Sequence, residues 1–434
     1  MAVNRAKGTR DLLPESMLRR LAVIDTVREV FARFGFQPLE TPAIERIETL
    51  MGKYGDEGDQ LIYKILKRGE GGQRGEVDLA LRYDLTVPLA RVVAMNPGLP
   101  LPFKRYQIQP VWRADRPQKG RFREFTQCDV DIVGCEEMWA DAEALAVVDS
   151  ALRALGFTNF TIKLNHRALL RAIVEDIGAA DRETPVLVAI DKLDKIGQDA
   201  VSAELERAGL SSDAVARVWE LLETGGSEGL AALREKLPAA LPSLDELQEV
   251  LDLAAKLGVP DGNIRFDPTL ARGLSYYTGP VFEAVVEEPA IGSISGGGRY
   301  DGLIGIFGKS SIPAVGISLG LERILVVMEE LGMFGELPPT ATQVLVSVFS
   351  DDSRGLAMEQ ATALRLAGVN TELWMKRGGK LGKQFKYADK MGIPYVLTCG
   401  PDEREQGVVT LKHMASGEQW TLSLQQASEK VLGL

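Results

Sequence analysis

The side chains best suited to chemistry crowd between Lys104 and Val133. From Lys104 to Arg123 there are seven basic residues and one acid, Asp115. Alone, such a run reads as the solvated tip of a hairpin. Two features point further. Arg113 falls at the end of a strand-like segment, where a guanidinium can aim along a sheet at a ligand. Beyond the loop, Gln127, Asp129 and Asp131 alternate with Cys128, Val130 and Ile132. Period two puts the three polar side chains on one face. Polar groups buried on a sheet face need partners, and a polar ligand is one. Leu81–Arg91 repeats the pattern more weakly, as an apolar strand with Arg82, Asp84 and Thr86 on one face. Leu270–Glu283 (LARGLSYYTGPVFE) sets Arg272 before Tyr276 and Tyr277. Those rings either pack a core edge or offer ring surface and a hydroxyl to a flat polar substrate. Ser295–Gly302 (SGGGRYDG) places three glycines before Arg299 and Tyr300, a turn that lets backbone approach a ligand closely.

Other chemistries are excluded by what is scarce. Two histidines, His166 and His413, speak against His-based zinc sites and Ser-His-Asp catalysis. Three cysteines (Cys128, Cys135, Cys399) form no CxxC pair and no disulfide framework, so reduced thiols and no protein-held metal are expected. There is no GxxxxGK[ST] loop, and no GxGxxG follows a strand and opens a helix. ATP, if used, would therefore lie on an antiparallel sheet between arginines. The candidates are Arg113, Arg272 and Arg323, the last in the strand–turn–helix segment GISLGLERI (Gly316–Ile324).

These residues need a scaffold, and 434 residues suffice for two or three domains. Composition is that of a globular protein, with 45% hydrophobic and 26% charged residues. A helix is expected over Ser16–Phe34, with Leu18, Leu21, Ile24, Val27, Phe31 and Phe34 as its apolar stripe and Gly35 as its stop. A strand ending at Thr41-Pro42 follows, then a β-rich stretch over Leu61–Gly134 and a helix over Glu137–Leu155. Thr184–Leu257 reads as a helical insertion, with a capping box at Ser243 and Glu246. Strands return over Ile264–Gly308, and a helix over Leu319–Leu331 closes the first domain, residues 1–330. A linker, 331–342, contains GELPPTAT. Residues 343–434 then alternate strand and helix, which predicts a small α/β domain with a largely parallel sheet. Net charge is −11, so a nucleic acid would have to meet a local basic patch. Lys376–Lys390 is one, with six basic residues and one acid, Asp389. No apolar run reaches the ~18 residues of a membrane span, and the first residues carry no apolar signal core. A cytoplasmic protein is expected.

Taken together, the segments resemble class II aminoacyl-tRNA synthetases, and most closely the histidyl-tRNA synthetase family. The resemblance runs from KGTRDLLPE (Lys7–Glu15) to the C-terminal domain. The helix and strand ending at Pro42 are similar to motif 1. VWRADRPQKGRFREFTQCDVD (Val111–Asp131) resembles motif 2, and GISLGLERI resembles motif 3. ARGLSYYTG and SGGGRYDG are similar to the two signatures special to the histidine enzymes. The implied fold is an α+β catalytic domain with an antiparallel six- or seven-stranded sheet, a helical insertion and a C-terminal α/β anticodon-binding domain.

The implied activity is ATP-dependent formation of histidyl-adenylate, followed by transfer of histidine to tRNA(His). The implied partners are histidine, ATP with Mg²⁺, tRNA(His) and a second copy of the chain paired through motif 1. By position, Arg113 would hold the α-phosphate and the amino acid carboxylate, Arg323 the γ-phosphate and Arg272 the α-phosphate during activation. Arg121 would lie near ATP. Asp84, Thr86, Gln127, Asp131, Tyr276, Tyr277 and Tyr300 would surround histidine. Arg116, Gln118, Lys119 and Arg123 would approach the tRNA acceptor end. One residue departs from the pattern: Ser275 stands where family members carry an acid. Two other readings are a non-catalytic histidine-binding regulatory paralogue and a class II synthetase for another amino acid. The retained C-terminal domain speaks against the first, and the double-tyrosine and GGGRY signatures against the second.

Overall fold

A computed structural model of the chain describes residues 3–226, 228–271, 276–308, 310–335, 337–376 and 380–433. The chain divides into two compact units: Met1–Arg10 with Val23–Met333, and Asp11–Ala22 with Phe334–Leu434.

In the first unit the strands are β1 (Gln37–Pro38), β2 (Ile44–Arg46), β3 (Lys64–Leu66), β4 (Val77–Leu81), β5 (Phe103–Trp112), β6 (Glu124–Val133), β7 (Thr161–His166), β8 (Ile264–Phe266), β9 (Pro280–Val285), β10 (Ser293–Arg299) and β11 (Ala314–Gly320). Eight of them form one sheet in the order β1-β5-β6-β11-β10-β9-β7-β8. The expected antiparallel core is present, but the sheet has eight strands because β1 and β8 add to its edges, each parallel to its neighbour. β1 holds only two residues and ends before Thr41. The strands β2, β4 and β3 make a separate small antiparallel sheet.

The stretch over Leu61–Gly134 is not continuous β structure. β4 stops at Leu81, and Thr86–Met95 is a helix whose Val87, Leu89, Ala90 and Val93 are buried. Arg82, Asp84 and Thr86 therefore do not share a strand face. Arg82 turns away to donate to the carbonyls of Thr41 (2.7 Å) and Pro110 (2.8 Å). The first helix runs Pro14–Arg33, with Val23, Val27, Val30 and Phe31 buried and Leu21 exposed, so the stripe is rotated from the one expected.

The three glycines of SGGGRY are not a turn. They lie inside β10, paired on both edges. A Cβ on Gly297 would strike the Gly316 carbonyl of β11, and one on Gly298 would sit 2.7 Å from the Pro280 carbonyl and 2.9 Å from the Tyr277 ring. Glycine is required here by strand crowding.

The insertion is helical from Glu183–Ile190 through Leu241–Lys256. Its predicted capping box does not form. The last helix begins at Leu241 with a proline in its first turn, and Ser243 Oγ donates to the Ala240 carbonyl at 2.8 Å. Glu246 pairs instead with His166 Nε2 at 2.7 Å. His166 Nδ1 accepts from Ala168 N–H (3.0 Å), so the ring caps a helix and braces the insertion.

The second unit has a five-stranded sheet built of β12 (Val344–Val346), β13 (Thr371–Leu373), β14 (Tyr395–Thr398), β15 (Val409–His413) and β16 (Gln419–Leu422), in the order β13-β12-β14-β15-β16. The expected parallel strands occupy one side. The antiparallel β15 and β16 make the sheet mixed. The sequence reading did not anticipate these two strands. The helix Leu381–Met391 presents Lys383, Lys386 and Lys390 to solvent and buries Gln384 and Ala388.

Because the Gly297 Cβ position is already occupied by backbone, Gly297→Ala is expected to destabilise the protein by about 1–3 kcal/mol. The reading is a lower denaturant midpoint and Tm with an unchanged m-value.

Candidate active site

The sheet carries a cleft of about 860 Å³ on one face. Its floor follows from strand register. One cross-strand row reads Gln107, Asp129, Ser318, Gly296, Glu283 and Lys163 from β5 to β7. The next, two residues deeper, reads Arg105, Asp131, Gly316, Gly298, Val281 and Asn165. Side chains two apart on a strand share a face, so the alternation read in β6 becomes a polar stripe along the cleft. Gln127, Asp129 and Asp131 all line it.

The deeper row is built around a buried ion pair. Arg105 Nη2 lies 2.8 Å from Asp131 Oδ2, and Arg105 is fully buried. The Tyr300 hydroxyl donates to the other carboxylate oxygen of Asp131. Gly316 stands beside it because a Cβ there would overlap the Asp131 carboxylate. Burial pushes the Asp131 carboxyl up, with Arg105 opposing. Asp84 accepts from Tyr54 Oη (2.9 Å) and from Val87 N–H (3.1 Å), while burial raises its carboxyl too. Asp129 is pushed up to about 7, chiefly by burial. Arg105 opposes this, and Asp131 and Asp84 add to it.

Tyr276, Tyr277 and Tyr300 line the cleft, with Tyr276 4.9 Å from Tyr277 and 6.0 Å from Tyr300 between ring centroids. Burial raises the Tyr276 and Tyr300 hydroxyls well above the usual phenol range, so they stay protonated. The Tyr276 hydroxyl meets Thr86.

Arg113 follows the last residue of β5. Its guanidinium lies 4.3 Å from the Tyr83 ring and 5.2 Å from the Phe125 ring, and its Nε donates to the Tyr83 carbonyl (3.0 Å). That pins its plane and leaves the charge at the cleft. Arg323, from the helix Leu321–Glu330, donates to the Ser293 carbonyl at 2.5 Å. Arg121 pairs with Asp115 at 2.7 Å on the cleft-side turn, and Gln118 faces the cleft with it. The other three loop residues do not line the cleft. Lys119 pairs with Glu330, Arg123 donates to the Asp115 carbonyl (3.1 Å), and Arg116 is exposed. Arg272 and Ser275 lie outside the described residues.

The sequence reading named Asp129 on the polar face but not as a binding residue, and it missed Tyr54 and Arg105. The signal was present: Arg105, Gln107 and Gln109 alternate on β5 opposite Asp131, Asp129 and Gln127. It also missed that the insertion lines the cleft through Asp191, Asp194 and Lys195. Lys163 links the two parts by pairing with Asp267 (3.0 Å) and Asp194 (3.4 Å).

A family model described as histidyl-tRNA synthetase matches residues 8–324, and one described as an anticodon binding domain matches residues 343–434. The chain belongs to the histidyl-tRNA synthetase family. A curated relative from Cytophaga hutchinsonii, named histidine--tRNA ligase, is 44% identical over 447 residues, covering 98% of each chain. The crystal structure of histidyl-tRNA synthetase from Nostoc sp. PCC 7120 is similar to it with a TM-score of 0.86 and 33% identity, covering 100% of this chain and 99% of that one. A Bacillus halodurans structure, described as an ATP phosphoribosyltransferase regulatory subunit/histidyl-tRNA synthetase, has a TM-score of 0.73 and 25% identity over 86% of this chain and 93% of its own. The expected synthetase architecture, with a catalytic unit carrying a helical insertion and a C-terminal anticodon-binding domain, is therefore present. Among the described residues no helix is long and apolar enough to cross a membrane.

The raised Asp129 carboxyl gives a signed pH dependence. In the ligand-free fold it keeps its proton from about pH 4 to about pH 7, where the unfolded chain has lost it. Its contribution to stability is full below that window and is lost as pH rises through it. Asp129→Asn is expected to remove this part of the slope, so its Tm should fall less than the parent's between about pH 4.5 and 7.5.

Proposed function

We propose that the chain is a histidine--tRNA ligase: it activates histidine with ATP to histidyl-adenylate and pyrophosphate, then transfers histidine to the 3′ end of tRNA(His). The single observation that carries this reading is the cleft floor. Carboxylates, amide and phenols for a small polar amino acid lie at one end, and arginines for phosphates lie at the other. The histidine carboxylate attacks the α-phosphorus of ATP as pyrophosphate leaves. Such a step needs alignment and charge stabilisation more than a proton shuttle. Arg113 would neutralise both the attacking carboxylate and the α-phosphate, and Arg323 would hold the far phosphates. Arg272 is assigned the α-phosphate by family position.

The imidazole would rest among Tyr276, Tyr277 and Tyr300 over Asp131, with Asp84, Thr86 and Gln127 around the amino acid. A site that pairs with ring N–H groups rejects apolar isosteres, because its buried polar atoms would be left alone. Mg²⁺ would travel with the ATP phosphates. Glu283 and Glu322 are among the carboxylates that line the cleft. Gln118, with Arg116, Lys119 and Arg123 on the outer loop, would meet the acceptor end of the tRNA. The exposed Lys376, Lys380, Lys383, Lys386 and Lys390 would meet the anticodon stem. A homodimer paired through the first helix and a cytoplasmic location complete the proposal. The regulatory-paralogue reading is not favoured, since a curated ligase matches 98% of the chain and the anticodon-binding domain is retained.

ATP–pyrophosphate exchange run with each proteinogenic amino acid is expected to respond to histidine alone. Absence of exchange in folded protein that binds histidine would restore the regulatory reading. In the same assay Arg272→Ala should abolish exchange and leave histidine binding largely intact. Lys383→Glu with Lys386→Glu should leave exchange unchanged and raise the KM for tRNA, with a weaker salt dependence than the parent.

A further inference from the structure

The segment Lys7–Arg10 lines no part of the cleft, yet it grips two elements that do. A turn shapes it: the N–H and the hydroxyl of Thr9 both donate to the Ala6 carbonyl, at 3.2 and 2.8 Å. From this turn the Gly8 carbonyl accepts from Arg123 N–H (2.9 Å), and the Lys7 carbonyl accepts from Arg123 Nη1 (3.4 Å). Gly8 has a φ of +85°, and a Cβ there would lie 2.8 Å from Arg123 Cγ and 2.9 Å from Pro117 Cγ. Only glycine allows so close an approach to both sides of the loop 113–123, which joins β5 to β6. Arg10 adds a further hold. Its guanidinium stands 3.5 Å from the centre of the Phe122 ring, and its Nη2 pairs with Glu322 on the helix Leu321–Glu330.

What these contacts hold gives them a role. Gln118, Gly120, Arg121 and Phe122 line the cleft from the loop, and Glu322 and Arg323 line it from the helix. The loop tip is tight, with Gln118 and Arg121 bonded backbone to backbone at 3.1 and 2.9 Å. Arg116, Gln118, Lys119 and Arg121 are exposed, so burial does little to fix the tip and its aim depends on how the base is held. The helix needs help of another kind. Glu322 is 4% exposed and accepts from Thr126 N–H (3.2 Å). A buried carboxylate next to Arg323 would oppose a polyphosphate unless its charge were answered, and Arg10 answers it.

We propose that Arg10 is a positioning residue for ATP. With the Gly8 carbonyl it fixes the loop 113–123 against the helix Leu321–Glu330, so that Arg121 and Arg323 present one preset site to the nucleotide. The assignment rests on the histidine-activating function. A loop ordered before the nucleotide docks spares the ordering cost at docking, so the gain falls on ATP affinity and alignment. Histidine, which would sit among Asp131 and the tyrosines, gains little from it.

The test measures the Kd of ATP and of histidine separately by calorimetry, beside the exchange assay. Arg10→Ala is expected to raise the Kd and the exchange KM of ATP about tenfold, while the Kd of histidine stays within about twofold. Arg10→Lys keeps a charge for Glu322 and should recover part of the loss. Trypsin should cut the Ala variant faster than the parent between Arg116 and Arg123, at an unchanged Tm. An unchanged ATP Kd in Arg10→Ala overturns the proposal. So does an equal loss of ATP and histidine affinity, which would make Arg10 a part of the scaffold. Arg10→Gln, which keeps the stem, carries the same comparison if the Ala variant does not fold. Parent protein that exchanges with no amino acid would sink the broader function, and the ATP Kd would still decide the role of Arg10. Parent exchange with an unmoved ATP KM in the variant sinks only this assignment.

Discussion

The structure depends first on the buried pair between Arg105 and Asp131. Neither side chain reaches solvent, and two charges cannot leave water without strong mutual compensation. Removing one partner of such a pair costs about 3–5 kcal/mol, because the other is left charged and alone. The pair is also incomplete as a piece of scaffold. Arg105 Nε and Nη1 find no hydrogen-bond partner, and Nη2 reaches only the Leu85 carbonyl at 3.3 Å besides Asp131. A stability argument alone would replace this pair with apolar residues. Its persistence at the bottom of a cleft fits a site that keeps a fixed charge pattern ready for a polar substrate.

The rest of the catalytic unit follows from holding that pattern still. Gly316 clears space for the Asp131 carboxylate, and Gly298 clears space for the Tyr277 ring. Tyr54 and the first turn of the Thr86–Met95 helix fix Asp84. Tyr83 and Phe125 fix Arg113. On the far side, Arg299 pairs with the buried Asp141 and donates to the carbonyls of Cys135 (3.0 Å) and Glu137 (3.2 Å), which ties β10 to the start of the Trp139–Ala154 helix. Thus the arginine of the GGGRY signature is structural, while the tyrosine beside it faces the cleft.

Period two made the polar face of β6 legible before any coordinates, because alternation is local. Strand–helix alternation in the C-terminal part was legible for the same reason. What could not be read was everything that depends on partners distant in sequence. Arg105 looked like one more member of a basic run, and only pairing with β6 shows it sealed in the core. The glycines of β10 looked like a turn, and only the close approach of β9 and β11 explains them. Leu81–Arg91 looked like one strand, but Pro88 and the apolar spacing after Asp84 allow a helix whose buried face packs under the site. The segment containing Arg272 carries the family signature in sequence and lies outside the described residues, so its role rests on that signature.

The electrostatics of the cleft also explain why so few proton carriers are needed. Its phenols are held protonated by burial, so they serve as neutral hydrogen-bond groups. Neither histidine of the chain lies in the cleft: His166 caps a helix, and His413 belongs to the other unit. What remains along the cleft are the guanidiniums of Arg113, Arg121 and Arg323 and the buried carboxylates of Asp84, Asp129 and Asp131. Attack of a carboxylate on a phosphorus moves negative charge and no proton. A site that places positive charge along the path therefore does the required work by geometry. A floor of buried carboxylates and amides is satisfied only by a ligand that brings its own N–H groups.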